Sequence, residues 1–337
     1  MLSPESTDYV TFGPGFAPRV LVLVDTEEDF DWGQPVSRAN VSVNSINKLE
    51  RAHRLFADYG ITPCYLIDYP IATTTQSIEV LKPWVQEGSC IIGSQLHPWV
   101  NPPFVEEVSR VNSFAGNLPR QLEKAKLEAL THAIEANFNT RPRIYRAGRY
   151  GIGPNTANTL IELGYSVDVS VRPFYDYADE GGPNFRRILS QPYWADANRR
   201  LLELPLTCGF TGLLRGVGED VYAAASRMGP MTALLSHSRL LNRVTLSPEG
   251  MPLDEIIPAL KVMAAQGQKI FCISFHSPSM EPGNTPYVQN EQDLEDLYTW
   301  LHEVLTFLIQ TVGAKPATPF DILAAARVDD CTALVGA

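Results

Sequence analysis

Seven short aliphatic runs recur along the chain, most of them followed by a stretch with helical spacing. The runs fall at 20–24, 61–67, 90–92, 143–147, 165–171, 201–206 and 269–275. Helical spacing predicts helices over 41–59, 75–87, 120–138, 154–163, 253–266 and 291–312. Gly60, Gly88 and Gly164 mark stops, and Pro154 marks a start. A strand–helix rhythm of this kind implies parallel strands joined by right-handed crossovers. Seven units suit an α/β architecture closed into a distorted (β/α)7 barrel, with a doubly wound open sheet as the main competitor. No G-x-G-x-x-G follows the first strand, which removes the commonest reason to prefer a dinucleotide-binding sheet.

The chain's 337 residues allow a large core, and α/β barrels use this length as one domain. No repeat, low-complexity tract or linker divides the chain. The expected organisation is a single domain over 1–337, with an N-terminal extension (1–18), a barrel (19–320) and a C-terminal tail (321–337). A net charge of −11 argues against nucleic acid, which needs a basic footprint. It also disfavours strongly anionic substrates unless a metal or local arginines offset the field. Residues 1–18 are polar and broken by Pro4, Pro14 and Pro18, unlike a signal peptide, and no run reaches the ~20 apolar residues of a membrane span. Cys64, Cys90 and Cys272 lie in apolar runs, while Cys208 and Cys331 stand apart. All five read as thiols of a reducing compartment, and the expected location is cytoplasmic.

Chemistry concentrates where the runs end. The first run passes directly into Asp25, Glu27, Glu28, Asp29 and Asp31, five carboxylates in seven positions. Like charges this close resist ionising together, a cost most readily met where a cation or the chemistry uses the charge. In parallel α/β folds, sites form at the carboxyl ends of strands. Gln95 and His97 follow the third run, Arg146 and Arg149 the fourth, and His276 the seventh, with Asp168 inside the fifth. Two-residue alternation puts Asp25 and Glu27 on one face and turns Thr26 and Glu28 elsewhere. Trp32, Trp99, Tyr150 and Phe210 lie near the same ends, suited to stacking on sugar or to packing a lid. The long polar stretch 101–119 reads as a loop over the strand ends. His53 falls on an apolar stripe and reads as a packing residue.

These stretches resemble a known family, the NodB-like polysaccharide deacetylases of carbohydrate esterase family 4, most closely a bacterial branch linked to surface-polysaccharide gene clusters. The likeness runs over about 19–319. It is carried by DTEEDFDW (25–32), IGSQLHPWVNPPF (92–104), NSFAGNLP (112–119), YRAGRYGIGP (145–154), LELPLT (202–207) and SFHSPSMEPGNTPYV (274–288). The resemblance implies a NodB-like distorted barrel that uses a divalent metal, Zn2+ or else Co2+ or Ni2+, to remove acetyl groups from sugars. It implies that Asp25 is the base, His276 the general acid and Arg146 the residue that orients the base. Glu27, His97 and Gln95 fall at the metal positions. Asp168 is a candidate tether for Arg146. An acetylated sugar or glycan intermediate is the expected partner.

The chain departs from the family pattern. Gln95 stands where close relatives carry a histidine, and an amide oxygen is a poorer zinc ligand than imidazole. The alternatives are therefore a metal-poor barrel that binds carbohydrate or another partner, a hydrolase of a non-sugar amide, and a glycosidase pairing the first motif with Glu203. In the blandest reading Asp25 and Glu27 merely pair with Arg146 and Arg149. Asp25→Asn is expected to abolish activity with little change in stability.

Overall fold

The computed structural model describes residues 3–335, apart from 226–230, 232, 233, 236, 237 and 239. Seven parallel strands appear where the aliphatic runs fall. They are β1 (Arg19–Thr26), β2 (Cys64–Ile67), β3 (Ile91–Leu96), β4 (Ile144–Ala147), β5 (Val167–Asp168), β7 (Leu202–Glu203) and β10 (Ile270–His276). Their ladder runs β10-β1-β2-β3-β4-β5-β7, with β6 (Tyr193–Trp194) antiparallel on the β7 edge. The chain that follows β7 adds a hairpin of β8 (Cys208–Thr211) and β9 (Asn242–Thr245), which lies outside the seven aliphatic runs. The hairpin lies between the two ends of the sheet. Leu246 extends the hairpin by donating its N–H to the Thr207 carbonyl (2.9 Å), and β10 bonds to this pair through the Ser274 N–H to the Leu246 carbonyl (3.2 Å) and the Cys272 N–H to Thr207 Oγ1 (2.8 Å). The sheet is thus a curled, distorted barrel whose seam is stitched by single bonds.

Alternation along the strands explains both cores. Val20, Val22 and Val24 of β1 join Tyr65, Ile67, Phe271, Ile273 and Phe275 in a cluster facing the helices. Leu21 and Leu23 join Cys64, Leu66, Ile144, Val167, Leu202, Ile270 and Cys272 in the cluster between the strands. Two residues further along the same inner face, the side chains become polar: Asp25 on β1, Ser274 and His276 on β10, Arg146 on β4, and Gln95 on β3. The barrel is therefore filled with apolar groups below and lined with polar ones at its carboxyl-end mouth.

The helices largely match their predicted spans. Thr75–Glu87 and Arg120–Phe138 are as expected, and Gly88 takes the left-handed cap that stops the first (φ 71°). Residues 41–59 form a 3-10 turn, Asn44–Lys48, leading into Leu49–Asp58. The helix Pro319–Val335 contributes Ile322, Leu323 and Ala326 to the inner cluster. Among the described residues no helix is long and apolar enough to cross a membrane. Cys64, Cys90, Cys208 and Cys272 are buried free thiols, whereas the Cys331 side chain lies outside the described residues.

The loop 101–119 holds only the short 3-10 turn Ala115–Asn117, and its start is anchored from below. The buried Lys126 ammonium donates to the carbonyls of Pro98 (2.9 Å), Asn101 (2.6 Å) and Pro103 (2.9 Å) and pairs with Glu106 (3.0 Å).

Candidate active site

β1 ends at Thr26, so strict alternation ends there too. Asp25 and Glu27 both reach the mouth, as expected from their spacing. Glu28, which alternation turned away, is fully buried beside them. The backbone leaves the strand at this point, and the Glu28 N–H donates to Asp68 Oδ2 (2.9 Å) at the end of β2. Asp68 Oδ1 in turn caps the helix Tyr69–Thr73 through the Ile71 N–H (2.9 Å).

Two clusters share the mouth. In the first, Asp25 pairs with Arg146 (Nη1 to Oδ1 2.9 Å, to Oδ2 3.1 Å), and the same Nη1 donates to Ser274 Oγ (2.9 Å). β4 has no ladder with β1 or β10, so these bonds cross the interior and depend on the sheet's curl. Arg146 and Asp25 are both nearly inaccessible. His276 Nε2 lies 3.6 Å from Asp25 Oδ2, and its Nδ1 lies 2.7 Å from Glu249 Oε2. Glu249 Oε1 accepts the His276 backbone N–H (3.0 Å) and the Ser279 hydroxyl. Burial lowers the basicity of His276, but the carboxylates of Glu249, Glu27 and Asp25 outweigh it and raise its pKa to about 10.

In the second cluster His97 sits between two carboxyls. Nδ1 lies 2.8 Å from Glu28 Oε2, and Nε2 faces Glu27 Oε2 at 3.5 Å. Glu28 Oε1 accepts the Trp99 indole N–H (2.7 Å), and Trp99 stacks on His97 with ring centroids 4.3 Å apart. Gln95 Nε2 lies 3.0 Å from Glu27 Oε2 and 3.3 Å from His97 Nε2, while the buried Gln95 Oε1 has no partner. Burial raises Glu27 to about 7 and Glu28 to about 8, and holds Asp68 well above the usual carboxylate range with Glu28 beside it. Glu28, Asp68 and His97 also bring one ligand atom each within 4.8 Å of one another.

Backbone strain and close approach shape the loop after β4. Arg149 and Tyr150 both take left-handed φ values of 54° and 59°. Gly148 lies so near His97 that a Cβ there would come within 2.3 Å of the ring Cδ2 and 2.8 Å of the Leu96 carbonyl. Arg149 turns away from the mouth to Glu180, Ser113 and the Phe114 ring, so it does not pair with Asp25 or Glu27. Asp168 accepts the Ser170 hydroxyl and has no hydrogen bond or ion pair to Arg146 among the described residues, so it is not that arginine's tether. It lies opposite Glu203 in the β5–β7 ladder, so two buried carboxyls neighbour each other. Glu203 is fully buried, with Oε1 accepting the Val171 N–H (3.0 Å), which removes the partner a glycosidase reading needed.

Of the flagged aromatics, Trp32 packs edge-on to His276 (4.7 Å) and Tyr287 (5.7 Å), and Trp99 is buried under His97. Phe210 instead packs on Phe174 and Tyr222. His53 stacks on Trp84 at 4.0 Å, a packing histidine. Glu249 carried no signal in the sequence. It belongs to a loop whose place depends on the hairpin.

No protein-family model and no curated protein sequence matches the chain. Solved structures do. One from Mycobacterium smegmatis aligns over 98% of this chain and 96% of its own at 13% identity, with a TM-score of 0.57. One from Pseudomonas aeruginosa PAO1 aligns over 93% and 92% at 15% identity, TM-score 0.53. Both are provisionally described as polysaccharide deacetylases. PuuE allantoinase aligns over 93% and 91% at 16% identity, TM-score 0.54. At such identities the likeness fixes the fold, a distorted α/β barrel, and leaves the chemistry to this chain's own residues.

Proposed function

We propose that the chain is a metal-dependent hydrolase that removes an acetyl or related acyl group from a sugar or glycan intermediate. The observation that carries this reading is the meeting of Asp25, Arg146 and His276 with Glu27, Gln95 and His97 at one mouth. They come from four strand ends.

The donor set suits a divalent cation. Glu27 Oε2, His97 Nε2 and the Gln95 amide nitrogen lie 3.0–3.5 Å apart. Bonds of ~2.0–2.1 Å in a tetrahedron give ligand separations of about 3.3 Å. Turning the Gln95 amide over would bring its unpartnered oxygen to the same point, and the two orientations look alike in shape. Four buried carboxyls, Asp25, Glu27, Glu28 and Asp68, leave the mouth short of positive charge. We assign Glu27, His97 and Gln95 to hold the ion. Both Glu28 oxygens are taken by His97 Nδ1 and the Trp99 indole, and both Asp68 oxygens by the Glu28 and Ile71 N–H groups, so Glu28 serves to fix His97 and Asp68 to fix Glu28. A divalent ion, when bound, polarises the acyl carbonyl and lowers the pKa of a water.

The chain's own groups supply the rest. Asp25 takes the proton of the attacking water and is held in place by Arg146, which is itself bonded to Ser274. His276 gives its Nε2 proton to the departing amine or alkoxide, with Nδ1 held by Glu249. Trp32, packed against His276 and Tyr287, offers an aromatic surface to a sugar beside the acid. Four buried free thiols accord with a reducing compartment, and we place the protein in the cytoplasm.

The Gln95 amide nitrogen, bridging Glu27 and His97 as a cation would, favours a second reading in which the barrel binds carbohydrate with little or no metal. The allantoinase neighbour keeps a non-sugar amide among the substrates to be assayed. Metal analysis of the purified protein, followed by acetate release from acetylated sugars with and without added zinc, tests the proposal. Stoichiometric metal with zinc-stimulated acetate release supports it. A metal-free protein inert on every acetylated sugar overturns it.

A further inference from the structure

The mouth is acidic, the chain carries −11, and yet two arginines at its rim have no carboxylate partner among the described residues. Arg172 follows the buried end of the β5 run. Its guanidinium lies 3.9 Å from the Tyr175 ring centre and 5.5 Å from that of Tyr150. Arg243, on β9, lies 3.4 Å from the same Tyr175 ring. Two cations thus share one tyrosine. Arg172 reaches the hydroxyls of Tyr175 (3.2 Å) and Tyr177 (3.4 Å), and its buried Nε has no hydrogen-bond partner among the described residues. Arg243 donates to the Phe174 carbonyl (2.8 Å), and the Tyr175 hydroxyl is tied to Thr245 (3.0 Å), so the stack is fixed to the hairpin that seals the barrel. Desolvating two guanidiniums that no carboxylate neutralises costs stability, and an anion within reach of both, at the edge of the Tyr175 ring, offsets it.

The stack borders the catalytic groups. Tyr150, two residues after the Gly148 that packs on His97, has its ring 5.5 Å from the Arg172 guanidinium, and its phenol senses the charges of Arg172, Asp25 and Arg146. Tyr287, packed on Trp32 beside His276, senses both Glu249 and Arg172.

We propose that Arg172 and Arg243, stacked on Tyr175, form a subsite that binds an acidic group of the substrate, a sugar carboxylate or a sugar-linked phosphate, next to the acyl group being removed. Planar forks suit either oxyanion. The proposal rests on the hydrolase reading for its substrate, though the binding itself can be measured without turnover. It resolves the charge conflict: local arginines admit an anion to an otherwise acidic mouth.

The test is calorimetric titration of the full chain at low ionic strength with glucuronate and with inorganic pyrophosphate, using glucose as the neutral control. One of the acids should bind once per chain, and its identity selects carboxylate or phosphate. Arg172→Gln and Arg243→Gln should each weaken it by about 10- to 100-fold. Arg172→Lys, which keeps the charge and loses the fork, should fall between. Arg186→Gln, whose arginine pairs with Asp176, should change nothing. Melting curves show whether each variant is folded. Equal binding by folded arginine variants and the parent, or no acid binding above glucose, overturns the subsite. If the acid binds through the arginines but no acetylated sugar is hydrolysed, the subsite stands and the hydrolase reading falls. If a neutral acetylated sugar is hydrolysed and neither acid binds, the reverse holds.

Discussion

His97 Nδ1 lies 2.8 Å from Glu28 Oε2, so the opposite ring nitrogen is fixed toward Glu27 and Gln95. An imidazole whose Nδ1 proton is held by a carboxylate offers its Nε2 lone pair and has little freedom to turn. Glu28→Gln should therefore weaken metal binding by about 10- to 100-fold without removing a ligand. Gln95→His should tighten it. Both are read by zinc titration against a competing chelator, and an unchanged affinity in both variants would remove Glu27, His97 and Gln95 as the ion's holders.

The Asp25–Arg146 pair alters the simple expectation for Asp25→Asn. Arg146 is about 1% exposed, so neutralising its partner leaves a buried guanidinium poorly compensated. Beyond a loss of activity of about 10²- to 10⁴-fold, the variant should lose about 3 kcal/mol of stability. Urea denaturation measures this, and wild-type stability would show that Arg146 has other support.

Glu249 holds His276 at both Nδ1 and the backbone N–H. Glu249 is the largest of the carboxylate influences that raise His276 to about 10. Glu249→Gln keeps a polar group of the same shape and removes the charge. The basic limb of the pH–rate profile should move to lower pH, with kcat reduced more than KM is changed. A limb that stays in place would assign the acid to another group.

Gly148 is needed for space rather than for an unusual φ. Gly148→Ala places a methyl 2.3 Å from His97 Cδ2 and 2.8 Å from the Leu96 carbonyl, and that backbone oxygen belongs to β3 and cannot easily yield. The ring must move. The variant should fold with reduced stability and bind metal more weakly than the parent, as zinc titration and a melting curve would report. Full zinc affinity would mean that His97 is not a ligand.

Asp168 and Glu203 form a buried carboxyl pair away from the mouth. Burial raises Asp168 to about 6 and Glu203 well above its ordinary value. Folded-state pKa values above the unfolded ones mean that the native state keeps protons the unfolded chain releases. Their contribution is therefore full below the ordinary carboxylate range and is lost as pH rises through about 6 and beyond. Glu203→Gln removes one ionisation and keeps a hydrogen-bonding partner. Its melting temperature should fall less steeply than the parent's across that window, and parallel slopes would place the shared proton elsewhere.

Much of this arrangement was legible in the chain itself. The period of two on β1 and β10 decides that Leu21, Leu23 and Asp25, and Ile270, Cys272, Ser274 and His276, share one face, because side-chain direction in a strand is a local property. Helix ends at Gly88 and over 120–138 are equally local. Glu28 was misjudged because alternation holds only while the strand lasts, and β1 stops at Thr26. Glu249, the β8–β9 hairpin and the company of Arg172 could not be read locally. Each depends on which distant segment fills the seam between β7 and β10, a choice made by packing and by bonds such as Ser274 to Leu246. Sequence alone determined that Asp25, Glu27, Gln95, His97, Arg146 and His276 fall at the carboxyl ends of the strands. Only the closing of the sheet decided which of them touch, because contacts between residues more than a hundred positions apart are set by the curl of the whole sheet and not by any one strand.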